Sequence, residues 1–379
     1  MKCATLMRWL VSTFIIAGIC MQIPRVAEGC SGGGPDSGPR TLETSLPGAA
    51  SAIDATVGSY NVRPDVVGSF AIAGSDTLQP IMVKLATAFK SVQPGVKVAV
   101  QGGGSNVAIA GFVSDQATIR RGDAQAKGHL VSSHVPVLAS SRQLMQSERA
   151  AFRSRHGYDP IEIPIALDAV GVYVNGGNPI HGLTMQQVDA IFGKDRKRGY
   201  PEALTKWGDL GLEQSWGLRD INLYGRDKGS GTRTFFIDEV LLGGTMHPNV
   251  HELSGSATEI LEISRDPFGI GYAGIGFQAS AVRVVPLSKD SGQPFVTPSA
   301  TTVRDGSYPL VRELYVYVNK PSDREFATDV RAFLMFVNSR QGQEIIARSG
   351  VYPLSAAQIA TNVGILNESL VSAREGQIK

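Results

Sequence analysis

Residues 225–232 read Gly-Arg-Asp-Lys-Gly-Ser-Gly-Thr, and this octapeptide decides how the chain on either side of it folds. Residues 221–224 precede it and have the composition of a short strand. Residues 233–242 follow it, with apolar side chains such as Phe236 and Val240 at the i,i+4 spacing of an amphipathic helix. The sequence therefore predicts a strand, a tight glycine turn and a helix.

The predicted turn has the composition of an anion site. A helix N-terminus presents free backbone N–H groups and about half a positive charge. Arg226 adds a planar cation, and Ser230 and Thr232 add hydroxyl groups. Together these groups favour an oxyanion. The alternative at this point is an ordinary glycine turn with a serine or threonine cap.

The same succession of strand, Gly/Ser turn and helix is predicted twice more near the start of the chain. Residues 67–73 lead into Gly-Ser-Asp-Thr at 74–77 and a helix over 78–92. Residues 96–100 lead into Gly-Gly-Gly-Ser-Asn at 102–106. Each turn is expected at the carboxyl edge of a sheet, which is where open α/β sheets bind ligands.

The N-terminus has the pattern of a secretory signal peptide over residues 1–29. Lys2 and Arg8 supply the charged region, residues 9–21 are short and apolar, and Ala-Glu-Gly at 27–29 is an acceptable cleavage site. An uncleaved membrane anchor is the alternative, but the apolar run is short for a membrane span. The pattern predicts a periplasmic or extracellular protein.

A flexible leader is predicted over residues 30–63, because this segment is rich in Gly, Ser, Pro and Ala and has no periodicity. Ordered structure is expected to begin near Val66. Cys30 precedes a tether-like Ser-Gly-Gly-Gly-Pro and is a candidate for lipid anchoring. Glu28 is a poor residue immediately before such a site.

Charge and residue usage exclude several classes of function. Cleavage after residue 29 leaves 33 basic and 33 acidic residues, so nothing indicates a nucleic-acid or lipid-surface binder. Only Cys30 of the three cysteines would remain, and the six histidines have no metal-ligand spacing. Neither a Gly-x-Ser-x-Gly elbow nor a Gly-x-x-x-x-Gly-Lys-Ser/Thr loop is present. We therefore expect no catalytic residue, no metal and no cofactor.

Residues 67–354 resemble the phosphate-binding proteins of bacterial phosphate ABC importers, a family with a periplasmic-binding-protein-like fold. Residues 226–232 fit the family pattern Arg-x-x-Gly-Ser-Gly-Thr, and Ala-Gly-Ser-Asp-Thr-Leu at 73–78, Gly-Gly-Gly-Ser at 102–105 and Ala-Ser-Ser-Arg at 139–142 support the match. Each motif alone is weak, but their order and spacing together are specific.

The resemblance implies an α/β fold of type II with two lobes that close on an anion. Lobe one would comprise residues 64–166 and 308–379, and lobe two would comprise residues 167–307. Two chain crossings between the lobes would form the hinge.

The resemblance also implies the residues of a phosphate site. Those carried over directly from the family's motifs are Thr77, Leu78 (through its backbone N–H), Ser105, Arg226, Ser230, Gly231 and Thr232. Arg226 is expected to be the main charged contact. Ser141 and Arg142 are further candidates at a predicted strand end, although both could be ordinary turn or surface residues.

A well-known branch of this family has an aspartate where this chain has Ser141, and that carboxylate accepts the proton of bound phosphate. The acceptor here must then lie elsewhere, at Asp168 or Asp76. Asp168 lies in an apolar run, where an unpaired carboxylate would be costly, so it is the preferred candidate. Arg142 and Arg226 are expected to compensate its charge. Asp76 could instead be a helix N-cap.

The resulting hypothesis is a monomeric protein that binds inorganic phosphate outside the cytoplasm and delivers it to the membrane permease of an ABC importer. A secreted phosphatase is the alternative from another class, and sulfate or molybdate is the alternative ligand. A hydrolysis assay with a chromogenic phosphate ester would separate the enzyme from the binding protein.

Overall fold

A computed structural model describes residues 53–115 and 136–368, together with the backbone of two strands between them. The predicted signal peptide at 1–29, Cys30, the leader up to residue 52 and the last residues of predicted lobe one lie outside the described residues. No helix of the described part is both long and apolar enough to cross a membrane.

The chain alternates strands and helices, as the sequence predicted. The strands are β1 (Gly68–Gly74), β2 (Val96–Gln101), β3 (Thr118–Arg121), β4 (His129–Ser132), β5 (Val137–Ser140), β6 (Ile161–Asn175), β7 (Leu183–Thr184), β8 (Asn222–Arg226), β9 (His251–Leu253), β10 (Gly269–Gly274), β11 (Val282–Val284), β12 (Leu287–Ser288) and β13 (Val311–Val318). The helices are α1 (Gln79–Val92), α2 (Ser105–Ser114), α3 (Gln146–His156), α4 (Met185–Phe192), α5 (Gly231–Glu239), α6 (Ser256–Arg265), α7 (Ala300–Arg304), α8 (Thr328–Val337), α9 (Arg340–Arg348) and α10 (Ala356–Asn367), with a 3-10 helix at Trp207–Leu210.

Most strands belong to one sheet with the order β2-β1-β5-β13-β6-β10-β8-β9, and β11 also pairs with β6. Strands β1, β2 and β5 are parallel to one another, and β8 is parallel to both β9 and β10. The carboxyl ends of β1 and β2 therefore lie at one edge of their part of the sheet. The two turns predicted near the start of the chain follow these strand ends.

Two long antiparallel strands, β6 and β13, form the centre of the sheet. Their register shifts at Leu314/Tyr315, opposite Pro164, which lacks a backbone donor and is tolerated at such an irregularity. Asp168 is the register partner of Arg312, a few residues further along the pair. The two strands therefore bring these two distant residues side by side.

Apolar side chains gather into two large buried cores. The first core contains residues from 66–166 and 314–366, including Phe89, Phe333 and Phe336. The second core contains residues from 169–310, among them Trp207, Phe236 and Tyr272, together with Tyr352. Strand β6 contributes to the first core up to Ala166 and to the second from Ala169 onward, so it connects the two.

Residues 53–63 are packed against the rest of the protein, so this part of the predicted flexible leader is ordered. Ile53 and Val57 are buried against Leu354 and Ile359, and Tyr60 packs edge-on against the ring of Phe336, at a centroid distance of 5.5 Å. The Gly- and Ser-rich composition of the segment predicted flexibility, although Ile53, Val57 and Tyr60 are apolar residues that can pack. These three residues bind the segment to the C-terminal helices, so ordered structure begins before Val66.

Candidate functional site

The octapeptide folds as predicted. Strand β8 ends at Arg226 and helix α5 begins at Gly231. Ser230 caps the helix, because its hydroxyl accepts a hydrogen bond from the Arg233 N–H at 3.3 Å. Within the turn, the Asp227 carboxylate accepts from the Gly229 N–H at 3.0 Å. The first-turn N–H groups of α5 thus lie beside the end of the arginine strand.

Arg226 is buried, with 1% of its surface exposed, and it lies where several turns meet. Its Nη2 donates to Asp76 Oδ2 at 2.8 Å, and its Nη1 donates to Ser256 Oγ at 2.7 Å. Its Nε–H is buried and has no partner among the described residues. A buried guanidinium with an unused donor is costly unless a ligand accepts from it.

Asp76 is not the helix cap considered from the sequence. Its Oδ1 accepts from the Gly103 N–H at 2.8 Å, while its Oδ2 pairs with Arg226. The carboxylate therefore joins the first predicted turn to the second and to the octapeptide. Burial of Arg226 explains this arrangement, because an unpaired cation there would be costly.

Two threonines from different turns approach each other. Thr77 Oγ1 lies 3.2 Å from Thr232 Oγ1, and both residues are buried. The N–H of Leu78 is directed at Ser75, whose carbonyl oxygen accepts it at 3.1 Å. The two hydroxyls are thus brought together, while the Leu78 N–H has a partner within its own turn.

Ser105, Ser141 and Gly231 form a second close group. Ser105 Oγ lies 3.1 Å from Ser141 Oγ and accepts from the Ser141 N–H at 3.1 Å. A Cβ placed on Gly231 would lie 2.7 Å from Ser105 Oγ and 2.8 Å from Ser141 Oγ. Glycine is therefore required at position 231, and the start of α5 faces both serines.

Arg142 is held apart from this group. Its guanidinium forms two bonds with Glu148, at 2.8 and 2.7 Å, and Nε donates to Asn106 Oδ1 at 2.9 Å. Asn106 in turn donates to the carbonyl oxygens of Lys228 and Ser230. Arg142 thus supports the octapeptide through Asn106, and a direct ligand contact by Arg142 stays a prediction.

Asp168 is fully buried and pairs with Arg312, a residue that the sequence analysis did not identify. Arg312 Nε and Nη2 donate to Asp168 Oδ2 at 2.9 and 2.7 Å. The Ile275 N–H donates to Asp168 Oδ1 at 3.3 Å. The expectation that Arg142 and Arg226 compensate Asp168 is wrong, because Arg142 is bound to Glu148 and Arg226 to Asp76.

Arg312 also reaches the threonine pair, since its Nη1 donates to Thr232 Oγ1 at 3.0 Å. Burial lowers the pKa of Arg312, the ion pair with Asp168 opposes this, and the nearby charge of Arg226 lowers it further. Burial also raises the pKa of Asp168, and Arg312 opposes that change. The two arginines are therefore close enough to influence each other, which suits an anion.

Sequence signals for the missed residues exist. Leu310, Leu314, Val316 and Val318 are apolar at even positions, so the period of two places Arg312 on the buried face of β13. Glu259 precedes Ile260 and lies one turn before Ile263 on α6, and it is fully buried. A charged residue within an apolar pattern was the available indication in both cases.

The chemistry of the assembled site is that of anion binding. Hydroxyl groups, a helix N-terminus and an incompletely paired arginine are donors, which are what an oxyanion requires. Within the described residues, no group of three or more His, Cys, Asp or Glu side chains could hold a metal ion.

Comparison with known proteins identifies the family. Residues 56–341 match the family model of the PBP superfamily domain. The chain is 36% identical over 308 residues to the phosphate-binding protein PstS of Pseudomonas aeruginosa, an alignment that covers 81% of this chain and 90% of that protein. The chain belongs to the PstS family of the PBP superfamily. The recognition made from the octapeptide and its companion turns is confirmed.

Solved structures of proteins named as phosphate transporter components share the fold. A putative phosphate ABC transporter substrate-binding protein from Clostridium perfringens, with bound phosphate, matches 76% of this chain and 100% of its own, with a TM-score of 0.60 and 23% identity. An ABC-type phosphate transport receptor from Vibrio cholerae matches 76% of this chain and 100% of its own, with a TM-score of 0.54 and 20% identity. The predicted two-lobed α/β fold of the PstS family is confirmed.

Proposed function

We propose that this protein binds inorganic phosphate outside the cytoplasm and delivers it to the membrane permease of an ABC importer. The observation that carries the proposal is the buried Nε–H of Arg226, which has no partner among the described residues. Arg226 belongs to the octapeptide and pairs with Asp76 of the first predicted turn, and Asp76 in turn accepts from Gly103 of the second. The similarity to the PstS protein of Pseudomonas aeruginosa supports phosphate as the anion.

In this proposal the ligand lies among the hydroxyls of Thr77, Ser105, Ser141 and Thr232 and the start of α5, with Arg226 as its main charged contact. Because Arg226 Nη1 and Nη2 already donate to protein oxygens, Nε–H and the remaining η hydrogens contact the anion. The protein acts as a binding component and catalyses no reaction. An absence of hydrolysis of a chromogenic phosphate ester would support this.

We place the mobile units of this binding protein at the boundaries expected from the sequence. Lobe one comprises residues 64–166 and 308–379, and lobe two comprises residues 167–307. The crossing strands β6 and β13 are the hinge, and the ligand is enclosed between the lobes. The protein works as a monomer that is exported by the signal peptide at 1–29.

Selectivity against sulfate requires an acceptor for the phosphate proton, and the contacts favour Asp76 over Asp168. Each oxygen of Asp76 accepts one hydrogen bond, so each has capacity for another. Asp168 accepts two bonds from Arg312 at Oδ2 and one from the Ile275 N–H at Oδ1, so it has less remaining capacity than Asp76. Asp76 also shares Arg226 with the proposed ligand, whereas Asp168 is bound to Arg312.

Isothermal titration of ligand-free protein with phosphate and with sulfate tests both proposals. Phosphate should bind and sulfate should bind far more weakly, since an unmatched polar group in a dry site can discriminate by about four orders of magnitude. Asp76→Asn should reduce the phosphate-to-sulfate ratio. If Asp168→Asn reduces it instead, Asp168 is the acceptor. Failure of the unmodified protein to bind phosphate contradicts the proposed function.

A further inference from the structure

Glu259 is a buried carboxyl group on α6, three residues after Ser256, which accepts a hydrogen bond from Arg226. None of its surface is exposed. Its Oε1 accepts from the Tyr272 N–H at 2.8 Å, and its Oε2 is buried with no hydrogen-bonding partner in the described part of the chain. Burying an unpaired carboxylate oxygen costs free energy, so an ionised Glu259 would be poorly accommodated.

Arg226 shares the surroundings of Glu259. Ser256, which accepts from Arg226 Nη1, lies three residues before Glu259 and therefore on the same face of α6. The backbone N–H of Arg226 donates to the Tyr272 hydroxyl at 3.4 Å. The backbone N–H of the same tyrosine donates to Glu259. The two unpaired buried atoms, Arg226 Nε and Glu259 Oε2, thus belong to residues linked through Ser256 and Tyr272.

Asp76 and a bound phosphate would together at least balance the positive charge of Arg226, so an ionised Glu259 would add an uncompensated negative charge. Asp76 already pairs with the guanidinium, and a bound phosphate would bring at least one more negative charge. An ionised Glu259 would compete with the ligand for the same cation and would repel the ligand through a medium of low polarity.

We propose, on the basis of the phosphate site proposed above, that Glu259 is a positioning residue that supports phosphate binding only in its protonated form. The neutral carboxyl group leaves the charge of Arg226 to Asp76 and the ligand. Loss of the Glu259 proton weakens phosphate binding, and phosphate binding in turn promotes uptake of that proton.

Glu259 must change protonation near neutral or mildly alkaline pH for this proposal, and its pKa lies there. Burial raises the pKa of Glu259 to about 8, while the Tyr272 N–H and the charge of Arg226 oppose this increase. The neighbouring tyrosines, Tyr272 on β10 and Tyr173 on β6, have pKa values raised by their own burial, so both stay neutral. Arg226 on β8 is therefore the charged group that acts on Glu259.

Charged groups on the other elements beside α6 have partners of their own. On β9, Glu252 pairs with Arg233, and His251 packs against the ring of Tyr224. On β11, Arg283 donates to the carbonyl oxygen of Asn178. On α6 itself, Glu262 pairs with Arg265, both of them at the surface.

The test compares the unmodified protein with Glu259→Gln by isothermal titration with inorganic phosphate from about pH 6 to pH 9.5. The two affinities should run parallel below about pH 7. Above about pH 8, the affinity of the unmodified protein relative to the variant should fall, approaching tenfold per pH unit. Titrations in buffers of different ionisation enthalpy should show more proton uptake near pH 8 by the unmodified protein than by the variant. The ionisation of phosphate itself affects both proteins equally.

Glu262→Gln is the matched control, because it removes a carboxylate at the surface of the same helix, and it should follow the unmodified protein at every pH. A Glu259→Gln variant whose affinity is shifted by one constant factor, with unchanged proton uptake, would show a purely structural role and would overturn the proposal. Absence of phosphate binding by the unmodified protein would instead overturn the proposed function.

A measurement on the unmodified protein covers the case in which Glu259→Gln does not fold. With carbon-13-labelled glutamate, infrared difference spectra at about pH 8 should show a protonated glutamic acid band that increases when phosphate is added. No such increase, in a protein that demonstrably binds phosphate, would contradict the proposal.

Discussion

Two pairs of a buried arginine with a carboxylate lie near one another, and they differ in how many of their hydrogen-bonding groups have partners. In the pair of Arg312 with Asp168, two guanidinium N–H groups bond the carboxylate and a third bonds Thr232. In the pair of Arg226 with Asp76, one N–H bonds the carboxylate, one bonds Ser256, and Nε–H has no partner among the described residues. Asp168 is fully buried, whereas 21% of the Asp76 side chain is exposed.

The difference indicates two separate tasks. Asp168 and Arg312 are register partners on neighbouring strands, so the backbone holds both before any ligand arrives. Arg226 and Asp76 come from the ends of β8 and β1, where loops can carry spare donors. We therefore expect the completed pair to have a structural role between β6 and β13, and the incomplete pair to bind the proposed ligand.

The largest effect is expected from breaking the completed pair. Arg312→Ala leaves the Asp168 carboxylate buried without its cation, which should reduce the free energy of unfolding by about 3–5 kcal/mol. Urea unfolding measures this loss. Replacing both residues, with Asp168→Leu and Arg312→Met, should restore a large part of the stability. A loss below about 1 kcal/mol for Arg312→Ala would mean that this pair is not the structural one.

Breaking the incomplete pair should affect the ligand more than the fold. Arg226→Ala should weaken phosphate binding by about 2–5 kcal/mol, since a desolvated anion loses its main cation. Arg226→Lys should recover only part of this, because an ammonium cannot reproduce the planar fork. Titration calorimetry measures both variants. Unchanged phosphate affinity in Arg226→Ala would remove this residue from the site.

The pH dependence of stability sharpens the comparison, since Glu259 lies beside only the incomplete pair. The Glu259 pKa is raised from 4.5 to about 8 in the folded protein. Between these values the folded state holds a proton that the unfolded state has released, so stability falls as pH rises and levels off above about pH 8. Glu259→Gln should remove this loss and gain about 2 kcal/mol relative to the unmodified protein between pH 6 and pH 8. Parallel urea unfolding curves for both proteins across that range would contradict the raised pKa.

The smallest effect is expected at the serines that face α5. Ser141→Ala removes one hydroxyl from the proposed phosphate shell and should weaken binding by about 1 kcal/mol, the net contribution of a typical hydrogen bond. Arg142→Gln, which disturbs a side chain held by Glu148 outside that shell, is its comparison in the same titration. A larger loss of affinity in Arg142→Gln than in Ser141→Ala would mean that Arg142 contributes more to binding than Ser141, either by direct contact or through Asn106.

Local patterns alone determined much about this protein. The octapeptide at 225–232 and the turns at 74–77 and 102–106 predicted three strand–turn–helix units, and α5, α1 and α2 begin within two residues of the ends of these segments. Another local signal, Thr184 three residues before Gln187, forms a capping box at the start of α4. Such signals depend on turn chemistry and side-chain period within a few residues, so a sequence contains them directly.

Only the tertiary structure shows which residues distant in sequence form ion pairs. Asp168 lies 144 residues from Arg312, and Asp76 lies 150 residues from Arg226. The register of β6 with β13 and the approach of two turns determine which buried charges meet. Packing also decided the order of residues 53–63, where a few apolar contacts outweigh a flexible composition. Composition and period describe each segment by itself, whereas charge compensation in a buried site depends on which segments the fold brings into contact.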